Sequence, residues 1–131
     1  MRPSRSVGGA LPESTVEFIR ARFPLAAAPS VPEIRLHKAA PDSGLWRLAE
    51  LDADFGAPYW AYDWGGGLAL ARHVLDHPGI VAGRRVLDLG AGSGVVAIAA
   101  AKAGARQVTA ADVDRYANAA IRLNAAANGV A

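Results

Sequence analysis

The sequence contains no cysteine, which excludes disulfides and thiolate metal sites and leaves a reducing compartment open. No apolar run approaches the roughly 20 residues of a membrane-spanning helix, so no membrane partner is expected. Basic residues exceed acidic ones by little, 14 against 12, and they are dispersed. The basic stripe with interleaved aromatics that marks a nucleic-acid surface is absent, and no nucleic-acid partner is expected. His37, His73 and His77 lack metal-ligand spacing, so no metal is expected. His77, before Pro78-Gly79, reads as a helix end. Asp52 and Asp54 flank Ala53 without a third ligand or a turn glycine, and read as a solvated acidic loop rather than a cation site.

What is present is a globular composition: 131 residues, 52% hydrophobic and 20% charged, enough for one small domain. Alanine is abundant after residue 95 and favours helices while adding little core volume. Residues 1–11 read as a floppy tail, because they lack the apolar stretch of a secretory signal and the amphipathic pattern of a transit segment. Residues 12–57 read as an extension made of a helix and a small β-hairpin. The helix is expected over Pro12–Phe23, with Glu13 and Glu17 early and Arg20 and Arg22 late, as the helix dipole prefers. The Pro/Ala stretch from Pro24 to Pro32 reads as a linker. Glu33–Lys38 alternates as a strand, with Ile34 and Leu36 on one face. Pro41-Asp42-Ser43-Gly44 is turn chemistry, and Leu45–Leu51 fits either a second strand or a short helix.

Residues 58–131 read as a βαβα unit with a parallel sheet. An aromatic and glycine block, Pro58 to Gly67, precedes a helix over Leu68–Leu75. Strands are expected at Arg85–Leu89 and Gln107–Ala111, and helices at Ser93–Ala103 and Asp114–Asn128. Ser93 is expected to cap the first of these two helices, Asp114 to cap the second and Gly129 to end it. The fold class is therefore α/β.

The strand Val86-Leu87-Asp88-Leu89 runs directly into Gly90-Ala91-Gly92-Ser93-Gly94. Ligands of open α/β sheets bind at the carboxyl ends of strands, and glycines there allow close backbone approach. Val95 stands where a dinucleotide fingerprint needs glycine or alanine, and no Gly-Lys-Ser/Thr run exists for a P-loop. Asp88 would repel a polyanion but attract an ammonium. S-adenosylmethionine offers that ammonium together with a carboxylate, a sulfonium and a ribose diol. Asp88 is assigned to the amino group and the loop amides of Gly90, Ala91, Gly92 and Gly94 to the carboxylate. Asp112, 24 residues beyond Asp88, is assigned to the diol, and Val113 to packing on the adenine. With Asp114 as the better helix cap, Asp112 is left without a structural task. Gly92-Ser93-Gly94 has the wrong spacing for a nucleophile elbow.

The pattern Asp88-x-Gly90-x-Gly92-x-Gly94, followed by Ala111-Asp112-Val113-Asp114, resembles the seven-strand class I methyltransferases. The run Pro58-Tyr59-Trp60-Ala61 followed by Asp63-Trp64-Gly65-Gly66 narrows this. It is similar to the lysine methyltransferases of the electron transfer flavoprotein β subunit, close relatives of the ribosomal protein L11 methyltransferases. Pro32-Glu33-Ile34, Leu45-Trp46, Asn124 and Asn128-Gly129 fit the same family, and the resemblance covers residues 32–131. It implies a Rossmann-like fold, S-adenosylmethionine as methyl donor, and Trp64, Gly65 and Gly66 along the donor's methionine end. Aromatic faces beside a sulfonium would contribute on the order of 0.5–2 kcal/mol. The alternative reading of Trp60 is a core aromatic.

The family's fold has seven strands, and two are expected here, so the chain reads as the N-terminal part of that fold, C-terminally incomplete. In the family, the end of the fourth strand receives the protein substrate, and no catalytic base is assigned among these residues. The resemblance implies methyl transfer to a protein lysine, of electron transfer flavoprotein β or a similar protein. A ribosomal L11-type protein or a nicotinamide-like small amine is the alternative acceptor, and an inactive cofactor-binding remnant the alternative role. A cytoplasmic location is expected, or the mitochondrial matrix for a eukaryotic source; the oligomeric state is left open.

Overall fold

The computed structural model describes residues 2–3, 13–51 and 53–131. Its elements, in chain order, are β1 (Arg2–Pro3), α1 (Glu13–Arg22), β2 (Leu25–Ala28), β3 (Val31–His37), α2 (Leu45–Leu51), α3 (Gly65–Asp76), β4 (Arg85–Leu89), α4 (Val95–Lys102), β5 (Gln107–Ala111) and α5 (Arg115–Ala127). Most of the segment read as a floppy tail lies outside the described residues, as does Asp52. Arg2 and Pro3 pair in parallel with Thr109 and Ala110 of β5.

β4 and β5 run parallel, with Val86 opposite Val108 and Asp88 opposite Ala110, joined through α4 as the strand–helix–strand spacing requires. The sheet order is β1-β5-β4. Pleating sends Val108 and Ala110 to the face covered by α4, where both are buried. α4 has apolar residues all round, and Val95, Ala97, Ile98, Ala99 and Ala100 are buried between the strands and α3. Alanine at these positions lets helix and sheet approach closely. The opposite face carries Leu87 and Leu89, which are 64% and 81% exposed.

The hairpin is present, with β3 over the strand expected at Glu33–Lys38, but its other strand is not the expected one. Leu25–Ala28, within the supposed linker, pairs antiparallel with Val31–His37. Pro29 and Ser30 form the turn; Ser30 has φ 62°, the left-handed conformation that a Pro-led turn needs at its second central residue. Leu45–Leu51 is helical, not the hairpin's second strand. Ile34 and Leu36 are buried as expected, together with Val31 and Ala28, against Ala71, Val74, Ile98 and Ile121. A second apolar cluster joins Ile19 of α1 and Phe23 just beyond it to Phe55, Trp60 and the alanines of α5.

Two asparagines, Asn124 buried within α5 and Asn128 half-buried at its C-terminal cap, stitch the hairpin to that helix. Asn124 accepts from the His37 amide at 2.8 Å, and its Nδ2 donates to the Ser93 carbonyl at 2.8 Å. Asn128 accepts from the Arg35 amide at 3.0 Å and donates to the Arg35 carbonyl at 2.7 Å. The outer edge of β3 is thus paired by side-chain amides in place of a strand.

Candidate functional site: a glycine loop over an acidic cleft

Gly90, Gly92 and Gly94 all have positive φ, at 70°, 55° and 85°, which L-residues with a Cβ rarely adopt. The Gly90 and Ala91 amides both donate to the Ala111 carbonyl, at 2.8 and 2.9 Å, so the loop turns over the end of β5. Gly94 is the residue that starts α4. Ser93 makes no cap, because the left-handed turn at Gly94 places a residue without a side chain at that position. The acceptor comes instead from β4: Asp88 Oδ2 takes the Ala97 amide at 3.0 Å.

Asp112 also has a structural task, contrary to expectation. Its Oδ2 accepts from the Gly92 amide and its Oδ1 from the Asp114 amide, each at 2.9 Å. The Gly90, Ala91, Gly92 and Gly94 amides are therefore engaged within the protein, and the expectation that they hold a ligand carboxylate is revised. The two carboxylates shape the loop from either side. Asp114 caps α5 as expected, accepting from the Tyr116 amide at 2.7 Å, and Asn128 and Gly129 end that helix. His77 closes α3.

These strand ends open into a cleft of about 860 Å³, within the size range of small-molecule sites. Trp64, Asp88, Gly90, Ala91, Gly92, Asp112 and Val113 all line it. Val113 is fully exposed beside Asp112, as an apolar platform would be. Three expected residues do not line it. Gly94 is buried, and a Cβ there would meet Ile121 Cγ1 at 3.3 Å, so it serves helix packing. Gly65 and Gly66 form the first turn of α3, in open space. Trp60 is a core ring, stacked on Tyr116 and edge-on to Phe23.

The lining also includes residues not assigned to the donor site from the sequence: Asp54, which was read as part of a solvated acidic loop, and Tyr59, Tyr62, Asp63 and Arg115. Five carboxylates, Asp54, Asp63, Asp88, Asp112 and Asp114, face the cleft, and Arg115 is the one cation among its described lining residues. The aromatic block was the available signal for Tyr59 and Tyr62, but periodicity could not tell core rings from cleft rings. Asp63 pairs with Lys38 at 2.7 Å, a contact between segments that no local pattern reveals. Burial raises the Asp88 carboxyl above the ordinary carboxylate value, with the Ala97 amide opposing and the charge of Asp112 adding. Burial also raises Asp114, against the amides of Tyr116 and Ala117. Such a cleft disfavours polyanions and favours cations. Among the described residues, no group of three or more His, Asp or Glu side chains could hold a metal ion, and no helix is long and apolar enough to cross a membrane.

Residues 70–131 match the family model described as ribosomal protein L11 methyltransferase (PrmA). The chain is 46% identical over 113 residues to the electron transfer flavoprotein beta subunit lysine methyltransferase of Xenopus laevis, covering 86% of this chain and 46% of that protein. To the Rattus norvegicus protein of the same name it is 41% identical over 130 residues, 98% of this chain and 51% of the relative. A ribosomal protein L11 methyltransferase of Haemophilus ducreyi is 53% identical over 49 residues, 37% of this chain and 17% of that protein. The chain spans about half the length of the flavoprotein-type relatives it matches. The glycine loop, the strand-end acids and the aromatic-glycine run thus sit in a chain that is similar in sequence to the electron transfer flavoprotein β-subunit lysine methyltransferases over most of its length and to the ribosomal protein L11 methyltransferases over part of it.

Proposed function

We propose that this chain forms the S-adenosylmethionine-binding part of a class I methyltransferase acting on a protein lysine. The observation that carries this reading is the pair of carboxylates, Asp88 and Asp112, at the ends of adjacent parallel strands, with the glycine loop between them over an acid-lined cleft. The donor set fits the ligand's cationic and hydroxyl groups: carboxylates suit an ammonium, a diol and a sulfonium, and little in the lining suits a phosphate chain.

Asp88 would hold the amino group, because its Oδ1 is not used in the bond to Ala97. Asp112 would receive the ribose hydroxyls on the remaining lone pairs of its two oxygens. Val113 would carry the adenine, and Trp64 the methionine end. The bound donor supplies a methyl group activated on sulfur. The chain's own contribution is positioning and exclusion of water at the strand ends.

The acceptor is a lysine of the electron transfer flavoprotein β subunit or a similar protein, on the strength of relatives bearing that name over most of the chain. The family match over residues 70–131 favours a ribosomal protein as second reading. Calorimetric titration with S-adenosylmethionine, against NAD and ATP as controls, tests the donor. Binding selective for S-adenosylmethionine is expected; equal or absent binding overturns the reading and points to a remnant. Transfer of labelled methyl to lysine of purified flavoprotein β or of ribosomal protein L11 separates the two acceptors, and no label on lysine in either sinks the lysine assignment.

A further inference from the structure

The aromatic block divides between core and surface. Trp60 is buried, while Tyr59 and Trp64 on either side are 57% and 51% exposed, and Trp46 of α2 is 43% exposed beside them. These rings touch. Tyr59 lies 5.4 Å from Trp64 at an interplanar angle of 59°, and 5.7 Å from Trp46 at 80°. Tyr62 stacks behind Trp46 at 5.9 Å. The Trp64 Nε1 donates to the Tyr59 carbonyl at 2.8 Å, fixing that ring. Three large rings at steep mutual angles make a corner of aromatic faces, and a contiguous exposed patch of this kind marks an interaction site. Tyr59 and Trp64 also line the acidic cleft, with Asp63 and Asp54 next to them.

We propose that the corner of Trp46, Tyr59 and Trp64 at the cleft mouth receives an alkylammonium side chain, lysine or its N-methylated forms, from the protein acceptor. Ring faces attract cations through their quadrupole, most strongly for indole, and the surplus of carboxylates in the cleft adds a long-range attraction of the same sign. A neutral apolar side chain would gain the contact area but neither electrostatic part. The assignment rests on the lysine-methyltransferase reading above and adds where the acceptor side chain enters.

The test uses the intact chain and two tripeptide probes, acetyl-Gly-trimethyllysine-Gly-amide and its neutral isostere with carbon in place of the ammonium nitrogen. Affinities are read by NMR titration. The cationic probe is expected to bind about 3- to 10-fold more tightly than the isostere, as exposed cation–π contacts allow. Trp46→Leu and Tyr59→Leu abolish that preference, and Tyr59→Phe keeps it. Trp46→Leu leaves the affinity for S-adenosylmethionine unchanged, because Trp46 is not among the residues that line the cleft and Trp64 is retained. Equal binding of the two probes, or a preference that survives both Leu variants, overturns the proposal. If S-adenosylmethionine binds and the preference is absent, this inference alone falls. If the preference holds and S-adenosylmethionine does not bind, the donor reading falls and the cation corner stands.

Discussion

Glycines in and near the cleft divide by backbone conformation, and substitution reads the division. At Gly94, φ is 85° and an added Cβ meets Ile121 at 3.3 Å. Gly94→Ala is expected to cost about 1–3 kcal/mol in urea unfolding, from left-handed strain alone. Gly66 has open space, no positive φ and a place in the first turn of α3, so Gly66→Ala should stabilise by about 0.5–1 kcal/mol. A stabilised Gly66→Ala that loses S-adenosylmethionine affinity would assign that glycine to the ligand; unchanged affinity would remove it from the site. Asp88 gives a pH prediction. Its folded carboxyl holds its proton more tightly than the unfolded one, because burial outweighs the bond from Ala97. The folded state therefore binds more protons in the window between the ordinary carboxylate value and the raised one, and Asp88's contribution to stability falls as pH rises through it. Asp88→Asn keeps an oxygen for the Ala97 amide and removes the buried charge. It should melt higher than the native chain at neutral pH and no higher below the window, while binding S-adenosylmethionine at least tenfold more weakly. A lower melting point at neutral pH would refute the burial argument.

Among the elements, the asparagines of α5 hold more than their size suggests. Asn124→Ala removes an acceptor from His37 and a donor from Ser93, and should cost about 1–3 kcal/mol for each orphaned buried group, measured by denaturant midpoint. Because Ser93 belongs to the glycine loop, the same variant should weaken donor binding, while Arg122→Ala on the exposed side of α5 should do neither. The β4–α4–β5–α5 unit was legible in the sequence because period, glycines and caps agree within each segment. Asp88, Asp112 and Val113 line the cleft because each stands at the end of a strand whose limits were readable, whereas Trp64 precedes a helix that begins at Gly65 rather than at the expected Leu68. β2 was not legible. Leu25-Ala26-Ala27-Ala28 has weak strand propensity and is bracketed by prolines, so it reads as linker. It becomes a strand through the turn at Ser30 and the burial of Ala28, a case of tertiary context overriding propensity. The task of Asp112 on Gly92 was hidden because the bond spans 20 residues. Ser93 misled because a hydroxyl in front of a helix usually caps it, and here a strand-borne carboxylate does so across the loop.

For the whole molecule, the decisive asymmetry is that α4 covers one face of the β4–β5 pair and leaves the other open. β4 is also an edge strand among the described residues, and Leu87 and Leu89 stand exposed along it. Exposed apolar edges pair with other chains, so sedimentation of the 131-residue chain should show association that grows with concentration. Leu87→Lys with Leu89→Lys should restore a monomer without changing the helix content; a chain that stays monomeric at high concentration would refute the edge argument. The other edge, that of β3, has its partner far away in sequence: Asn124 lies 87 residues from His37, and Asn128 lies 93 residues from Arg35. A ribosome adding roughly 5–20 residues per second takes about 5–20 s to cover that distance. For that interval the hairpin has been synthesised with its outer edge bare, and the chain must outlast it before the last helix arrives to close it. Translation speed between codons 37 and 128 thus becomes a determinant of how much of this protein reaches its folded form.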